Sequence, residues 1–349
     1  MARIANACTN PDLFWGIKGG GGGSLGVVTR LTLRTRELPD VFGAAFGSIR
    51  AASDAAFRRL IGLFVGFYAD KLFNRHWGES VVFRPNNTLD IHMAFQGLSR
   101  EPASVVWQPF LDAVLASPRD YPLVLTPRFL AVPARHFWDP AYMNKVAPGL
   151  FVADDRPDAP LDNVLYTGDH HEAGQFISGY GSAWLPAALL AKDRQGRLAD
   201  ALFAATRHWG MALHFNKGLA GASAEDLAAA RDTATNPAVL DAFALAICGA
   251  TGPAAFPAIA GHEPDLPAAR RRAGAVGKVM DELLKLVPDA GSYVSESDFF
   301  NKDWQRAFWG PNYPKLAAIK QKYDPAGLFF VHHGVGSEAW SADGFTRLG

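Results

Sequence analysis

Apolar positions along the chain switch between a period of two and a helical period. In Val27–Thr35, Leu31 and Leu33 fall on one face and Arg30, Thr32 and Arg34 on the other, which predicts a half-buried strand. Glu37-Leu38-Pro39-Asp40 punctuates it and marks a boundary. Val41–Ile49 predicts a second strand. Ser53-Asp54 is a helix start, followed by Phe57, Leu60, Ile61, Phe64 and Phe67 at helical spacing. Ser80–Arg84 and Leu89–Gly97 flank the turn residues Pro85-Asn86-Asn87 and predict a hairpin. Val106, Phe110, Ala113 and Val114 trace another helix. Strand, helix, two strands, helix over 41–117 predicts an α+β fold, an antiparallel sheet backed by helices.

The stretch from Asp120 to Asp169 is proline-rich and reads as irregular. Trp184-Leu185-Pro186 is expected to open a helix through Leu189 and Leu190, with another helix over Leu198 to Thr206. Met211–Phe215 predicts a short strand. Ser223-x-x-Asp226 resembles a capping box before an alanine-rich helix to Arg231. Val239–Ile247 is apolar throughout and reads as strand or helix. Pro267–Val287 carries a helical stripe of Val276, Met280, Leu283, Leu284 and Val287. Near the end, Pro314 starts a short helix with Leu316, Ile319 and Tyr323 on one face. Asp324-Pro325 stops it, and an apolar strand is expected beyond Gly327.

One stretch breaks both periods. Gly19–Gly23 are five consecutive glycines, followed by Ser24-Leu25-Gly26-Val27-Val28. Without Cβ atoms the main chain can be approached closely and can take positive φ. Ordering it costs entropy, so a flat cofactor or a phosphate is the natural compensation. Asn10-Pro11-Asp12-Leu13-Phe14-Trp15 before it reads as a capped helical turn. Gly21-x-Gly23-x-x-Gly26 matches the dinucleotide fingerprint, but the order here is helix, glycines, strand, the reverse of what that mechanism needs. No Lys-Ser/Thr follows the last glycine, so it is not a P-loop.

Composition narrows the field. The 349 residues fit about two domains on the usual prior. Lysine plus arginine equals aspartate plus glutamate, 34 each, which gives no basic excess for nucleic acid. Cys8 and Cys248 permit one disulfide without requiring it, and no metal-ligand spacing is present. No apolar run reaches membrane-spanning length, and the N-terminus lacks a signal-peptide core. As written, the chain is expected in the cytoplasm, or outside it if an upstream leader exists.

Two motifs then point to a family. Asn10-Pro11-Asp12-Leu13-Phe14-Trp15, the glycine run and Leu25-Gly26-Val27-Val28-Thr29 stand at one end. Phe308-Trp309-Gly310-Pro311-Asn312-Tyr313-Pro314-x-Leu316, Lys320, Tyr323-Asp324-Pro325 and Gly327-Leu328-Phe329-Phe330 stand at the other. In kind and order they resemble FAD-dependent oxidases of the berberine-bridge-enzyme type, in the vanillyl-alcohol-oxidase-type flavoprotein group. The resemblance assigns residues 1–37 to the end of an FAD-binding domain, 38–295 to a substrate domain and 296–349 to a returning C-terminal segment. It also implies that the first half of the FAD domain, which carries the covalent flavin attachment in many members, is absent. A truncated inactive remnant, or a subunit completed by a separate chain, is the alternative.

The resemblance places Gly21, Gly22, Gly23, Ser24, Gly26, Val27 and Val28 along the flavin, and Asn312 and Tyr313 at its polar edge. It implies hydride transfer from an alcohol, sugar or phenolic small molecule, with oxygen or another acceptor taking the electrons. Several members use a Tyr base at the position of Phe308, and phenylalanine cannot take a proton. Tyr293 and Glu296, just before the tail, are the expected substitutes. His214 is a candidate for the substrate pocket. His170-His171 reads as a surface loop. His332-His333 reads as a tail-strand pair pointing to opposite faces.

Overall fold

The computed structural model describes residues 2–160, 162–169, 172 and 174–348. His170 and His171 lie outside the described residues. The chain opens with α1 (Pro11–Ile17), where Pro11 presets the first turn. Asn10 sits there in the left-handed region and its side chain makes no cap bond. After the glycine run, residues 26–38 are extended and exposed. The strand expected over Val27–Thr35 does not form: among the described residues, no backbone hydrogen bond involves 26–39. The alternation is present, but a strand exists only through a neighbour's hydrogen bonds, and nothing lies beside this one.

β1 (Val41–Arg50) begins the main sheet. α2 (Asp54–Phe67) starts where Ser53 Oγ accepts from the Ala56 amide, and it buries Phe57, Leu60, Ile61, Phe64 and Phe67 as the stripe requires. β2 (Trp77–Arg84) and β3 (Thr88–Gln96) form the expected hairpin. α3 (Arg100–Leu115) packs Trp107, Phe110 and Val114 into the same core. The proline-rich stretch is more ordered than its composition suggests. It contains β4 (Leu123–Pro133), α4 (Pro140–Val146) and the small pair β5 (Phe151–Ala153) and β6 (Val164–Tyr166). β4 tolerates Pro127 because it is an edge strand, where a missing N–H can face away from the ladder.

β7 (Gln175–Pro186) takes in Trp184 and Leu185, which pair with β9, and of the helix expected there only a 3-10 turn over Ala187–Leu190 forms after Pro186. α5 (Gln195–Thr206), β8 (Met211–His214), α6 (Ala224–Arg231) and α7 (Ala238–Asp241) follow. Val239–Ile247 divides between α7 and β9 (Ala242–Ala254). α8 (Leu266–Leu286) covers β7 and β9. The seven strands run in the order β4-β1-β3-β2-β8-β9-β7, every pairing antiparallel. α2, α3, α5 and α8 pack on one face. Across the other face the register sets Phe46, His92, Ser80, His214, Leu245 and Trp184 in one row.

A second, smaller core gathers Trp15 and Leu25 with Trp304, Phe308, Trp309, Leu316, Ile319 and Val335, drawn from α9 (Trp304–Trp309), α10 (Tyr313–Tyr323) and the tail. The apolar strand expected after Gly327 does not form. Cys8 is exposed and Cys248 buried, both as free thiols, so the two do not make a disulfide. Among the described residues, no helix is long and apolar enough to cross a membrane.

Candidate functional site

The glycine run is held from three directions. Trp309 Nε1 donates to the Gly19 carbonyl at 2.9 Å. Lys320 Nζ donates to the Ser24 carbonyl at 2.7 Å, and the Val335 amide donates to Ser24 Oγ at 3.1 Å. Positive φ at Gly21 and Gly23 bends the run between these anchors. A Cβ on Gly23 would stand 2.4 Å from Val331, whereas one on Gly22 would meet nothing within 4 Å. Gly22 therefore presents bare backbone to open space.

Two cavities border the run and share several of its residues. The first, about 290 Å³, is bordered by Gly21, Gly22 and Ser24 together with Asp298, His332 and His333. The second, about 370 Å³, is bordered by Gly21, Gly22, Gly23, Gly26 and Val28 together with Trp184, Asn236 and Tyr293. Val294, Ser295 and Phe308 border both.

Hydrogen bonds to the sheet bring Tyr293 here. The Trp184 amide donates to the Gly291 carbonyl at 3.0 Å, Ser182 and Ser292 hydroxyls meet at 2.8 Å, and the Tyr293 amide donates to Ser182 Oγ at 3.0 Å. Tyr293 borders the second cavity, and among the described residues its hydroxyl has no protein hydrogen-bond partner. Glu296 borders neither cavity; its carboxylate receives the Lys217 ammonium, which lies 5.2 Å from the Tyr293 ring centroid. His214, half-buried in the row that ends at Trp184, is held below the ordinary imidazole pKa, first by burial and then by the Lys217 charge. Burial, followed by the Glu296 charge, pushes Tyr180 up to about 12.

The remaining expected residues divide. Ser24 is buried and borders the first cavity. Val28 borders the second, while Val27 is exposed and borders neither. Asn312 and Tyr313, expected at the edge of a flavin ring, border neither cavity. Asn312 Nδ2 donates to the Thr235 carbonyl at 2.8 Å, next to cavity-bordering Asn236. The Tyr313 hydroxyl donates to Glu338 and accepts from the Gly336 amide at 3.2 Å. His332 and His333 do not oppose one another on a strand. Their rings stack at 3.8 Å, and both border the first cavity. Trp184, Asn236, Asp298 and Trp309 border the cavities without having been expected as site residues.

The family model described as "Berberine and berberine like" matches residues 292–336. A VAO-type flavoprotein oxidase of Thermothelomyces thermophilus is 26% identical over 348 residues, which is 99% of this chain and 54% of that protein. An FAD-linked oxidoreductase of Arthroderma benhamiae is 30% identical over 353 residues, 97% of this chain and 61% of its own length. The chain thus spans little more than half the length of these curated relatives. Among solved structures, a VAO-type flavoprotein from Myceliophthora thermophila superposes with a TM-score of 0.69 at 21% identity, covering 98% of this chain and 55% of that one. A carbohydrate oxidase from Microdochium nivale gives 0.62 at 19% identity, with 95% and 63% covered. The chain thus carries a berberine-bridge-type segment in its tail and is similar along nearly its whole length to part of the VAO-type flavoproteins and FAD-linked oxidoreductases.

Proposed function

We propose that this chain forms the flavin-facing and substrate-facing part of an FAD-dependent oxidoreductase acting on an alcohol, sugar or phenolic small molecule. The observation that carries the reading is the pair of cavities that share a glycine run whose bare Gly22 backbone faces open space. A side chain there would fill the space that a flat ring needs, so the residues fit a flavin. In the proposed division, 1–37 and 296–349 belong with the cofactor and 38–295 with the substrate.

When bound, flavin supplies the hydride acceptor, and the protein supplies orientation and electrostatics. Gly21 and Gly22 allow close approach, while Trp309 and Phe308 exclude water from their side of the groove. Tyr293 is the proposed proton-handling group. It borders the second cavity, and Phe308 offers no alternative at the position where relatives of this type are expected to carry one. Glu296 acts behind it, holding the Lys217 ammonium beside the Tyr293 ring. The row His92, Ser80, His214, on the face opposite α2, α3, α5 and α8, offers hydroxyl and imidazole groups to a polar substrate. Carbohydrate oxidases among the structural neighbours support a sugar or alcohol as the class.

A separate chain carrying the remaining part of a flavin domain is proposed as a partner. Residues 26–38, strand-like in pattern and without a neighbour, are the surface that favours it. Visible absorbance after incubation with FAD and desalting tests the reading. A retained flavin band is the expected result for the chain, alone or with its partner. Tyr293→Phe should then keep the band and lower substrate-dependent bleaching by about 10²-fold or more. A variant that keeps full turnover would remove Tyr293 from the chemistry, and a protein colourless in both settings would leave an inactive remnant.

A further inference from the structure

The buried Lys320 is not used by the chemistry just described. Its side chain is 8% exposed and that of Asp324 6%, in a part of the molecule otherwise packed with aromatic and aliphatic groups. A buried ammonium is costly unless every proton finds an acceptor. Lys320 Nζ finds three: the Asp324 carboxylate, the Ser24 carbonyl at 2.7 Å and the Phe329 carbonyl at 2.5 Å. Asp324 in turn accepts from the Leu328 and Phe329 amides, both at 2.9 Å. Burial, the largest influence on Asp324, raises its pKa, but Lys320 and these amides together bring it below the ordinary carboxylate value. Gly334 leaves room for this arrangement, since a Cβ there would stand 2.6 Å from Ser24 Oγ.

We infer that Lys320 is a positioning residue, a buried pin that joins the end of the glycine run to the tail loop so that both cavities keep their shape. It ties residue 24 to residue 329, and neither carbonyl has another protein donor among the described residues. The run between Gly19 and Ser24 has no side-chain packing of its own to hold it, so the pin and Trp309 fix its two ends. A pre-ordered loop does not have to lose that freedom on binding, and preorganisation of this kind is read as affinity. The inference rests on the flavin reading for its ligand and on geometry alone for the pin.

The test pairs two variants of the chain, in the same assembly that retains FAD. Lys320→Met alone leaves Asp324 buried without its partner and should lower Tm. Lys320→Met with Asp324→Asn removes both charges and should recover most of the thermal stability. Hydrogen exchange and FAD affinity then separate pin from packing. In the double variant, amide exchange over 19–25 and 327–335 should rise while α2 and α8 keep their protection, and FAD should bind about tenfold more weakly or worse. Wild-type exchange in both loops and wild-type FAD affinity in the double variant would overturn the assignment. If the unmodified chain retains no FAD, the flavin reading fails, and the exchange comparison still decides the pin.

Discussion

Substituting adjacent glycines should separate binding from folding. Gly22 lies outside the left-handed region, and a Cβ there meets no atom within 4 Å. Gly22→Val should therefore cost at most about 0.5 kcal/mol of stability, and the lower entropy of its unfolded chain offsets part of that. The new side chain stands on a residue that, like Gly21, borders both cavities and presents only backbone to them. A flat ring lying on the run would lose its closest contacts, and an affinity loss of about tenfold, or 1.4 kcal/mol, is a minimum. Gly23→Ala is the control of opposite sign. Its φ is +76° and its Cβ would stand 2.4 Å from Val331 Cγ2, so about 1–3 kcal/mol of strain and overpacking is expected in folding itself. Thermal melts by circular dichroism give the stabilities, and flavin-fluorescence titration gives the affinities. Undiminished FAD binding by Gly22→Val would refute the cradle. A loss of several degrees in its Tm would refute the claim that its Cβ points to open space.

Two further predictions concern the small core and the thiols. Asp12, joined to Lys322 and Tyr323 at 2.7 and 2.8 Å, is held at about 2, first by the Lys322 hydrogen bond and then by that of Tyr323. A depressed carboxyl pKa stabilises the fold above the ordinary value of 3.8, and that contribution fades as pH falls towards about 2. Asp12→Asn should melt below wild type at pH 7, with the gap closing in acid; a gap constant across pH would contradict the linkage. In a thiol titration of the native chain, Cys8 should react promptly. Cys248, buried and pushed up to about 12 by that burial, should react only on unfolding, and prompt reaction of two thiols would contradict its placement.

The elements legible in the sequence were those specified locally. Ser53 and the stripe of α2 lie within one segment, as do the turn and flanks of the β2–β3 hairpin and the stripe of α8. Misread elements depended on distant partners. Pro186 resembles a helix start, yet the bond from the Trp184 amide to Gly291 belongs to a strand end. β9 hides its alternation because its two faces enter different cores, Ala244 and Ala246 under the helices and Leu245 and Ile247 beside Trp184. The glycine run stood out because no helix or strand needs five glycines. Trp309 and Lys320 stood out as motif residues but not as its anchors, since they act on backbone carbonyls nearly 300 residues away in sequence, which carry no side-chain signal.

Residues 26–38 also bear on how the molecule behaves in concentrated solution. An exposed ribbon with free amides and carbonyls is a template for a second copy of itself. Antiparallel pairing centred on Thr32 would set Arg30 of one molecule opposite Arg34 of the other, and both are exposed. Like charges placed directly across a ladder oppose pairing. This guard is purely electrostatic, and at 1 M salt its range shrinks to about 3 Å. Raising the salt concentration, a common remedy for sticky proteins, would here remove the one thing keeping two ribbons apart.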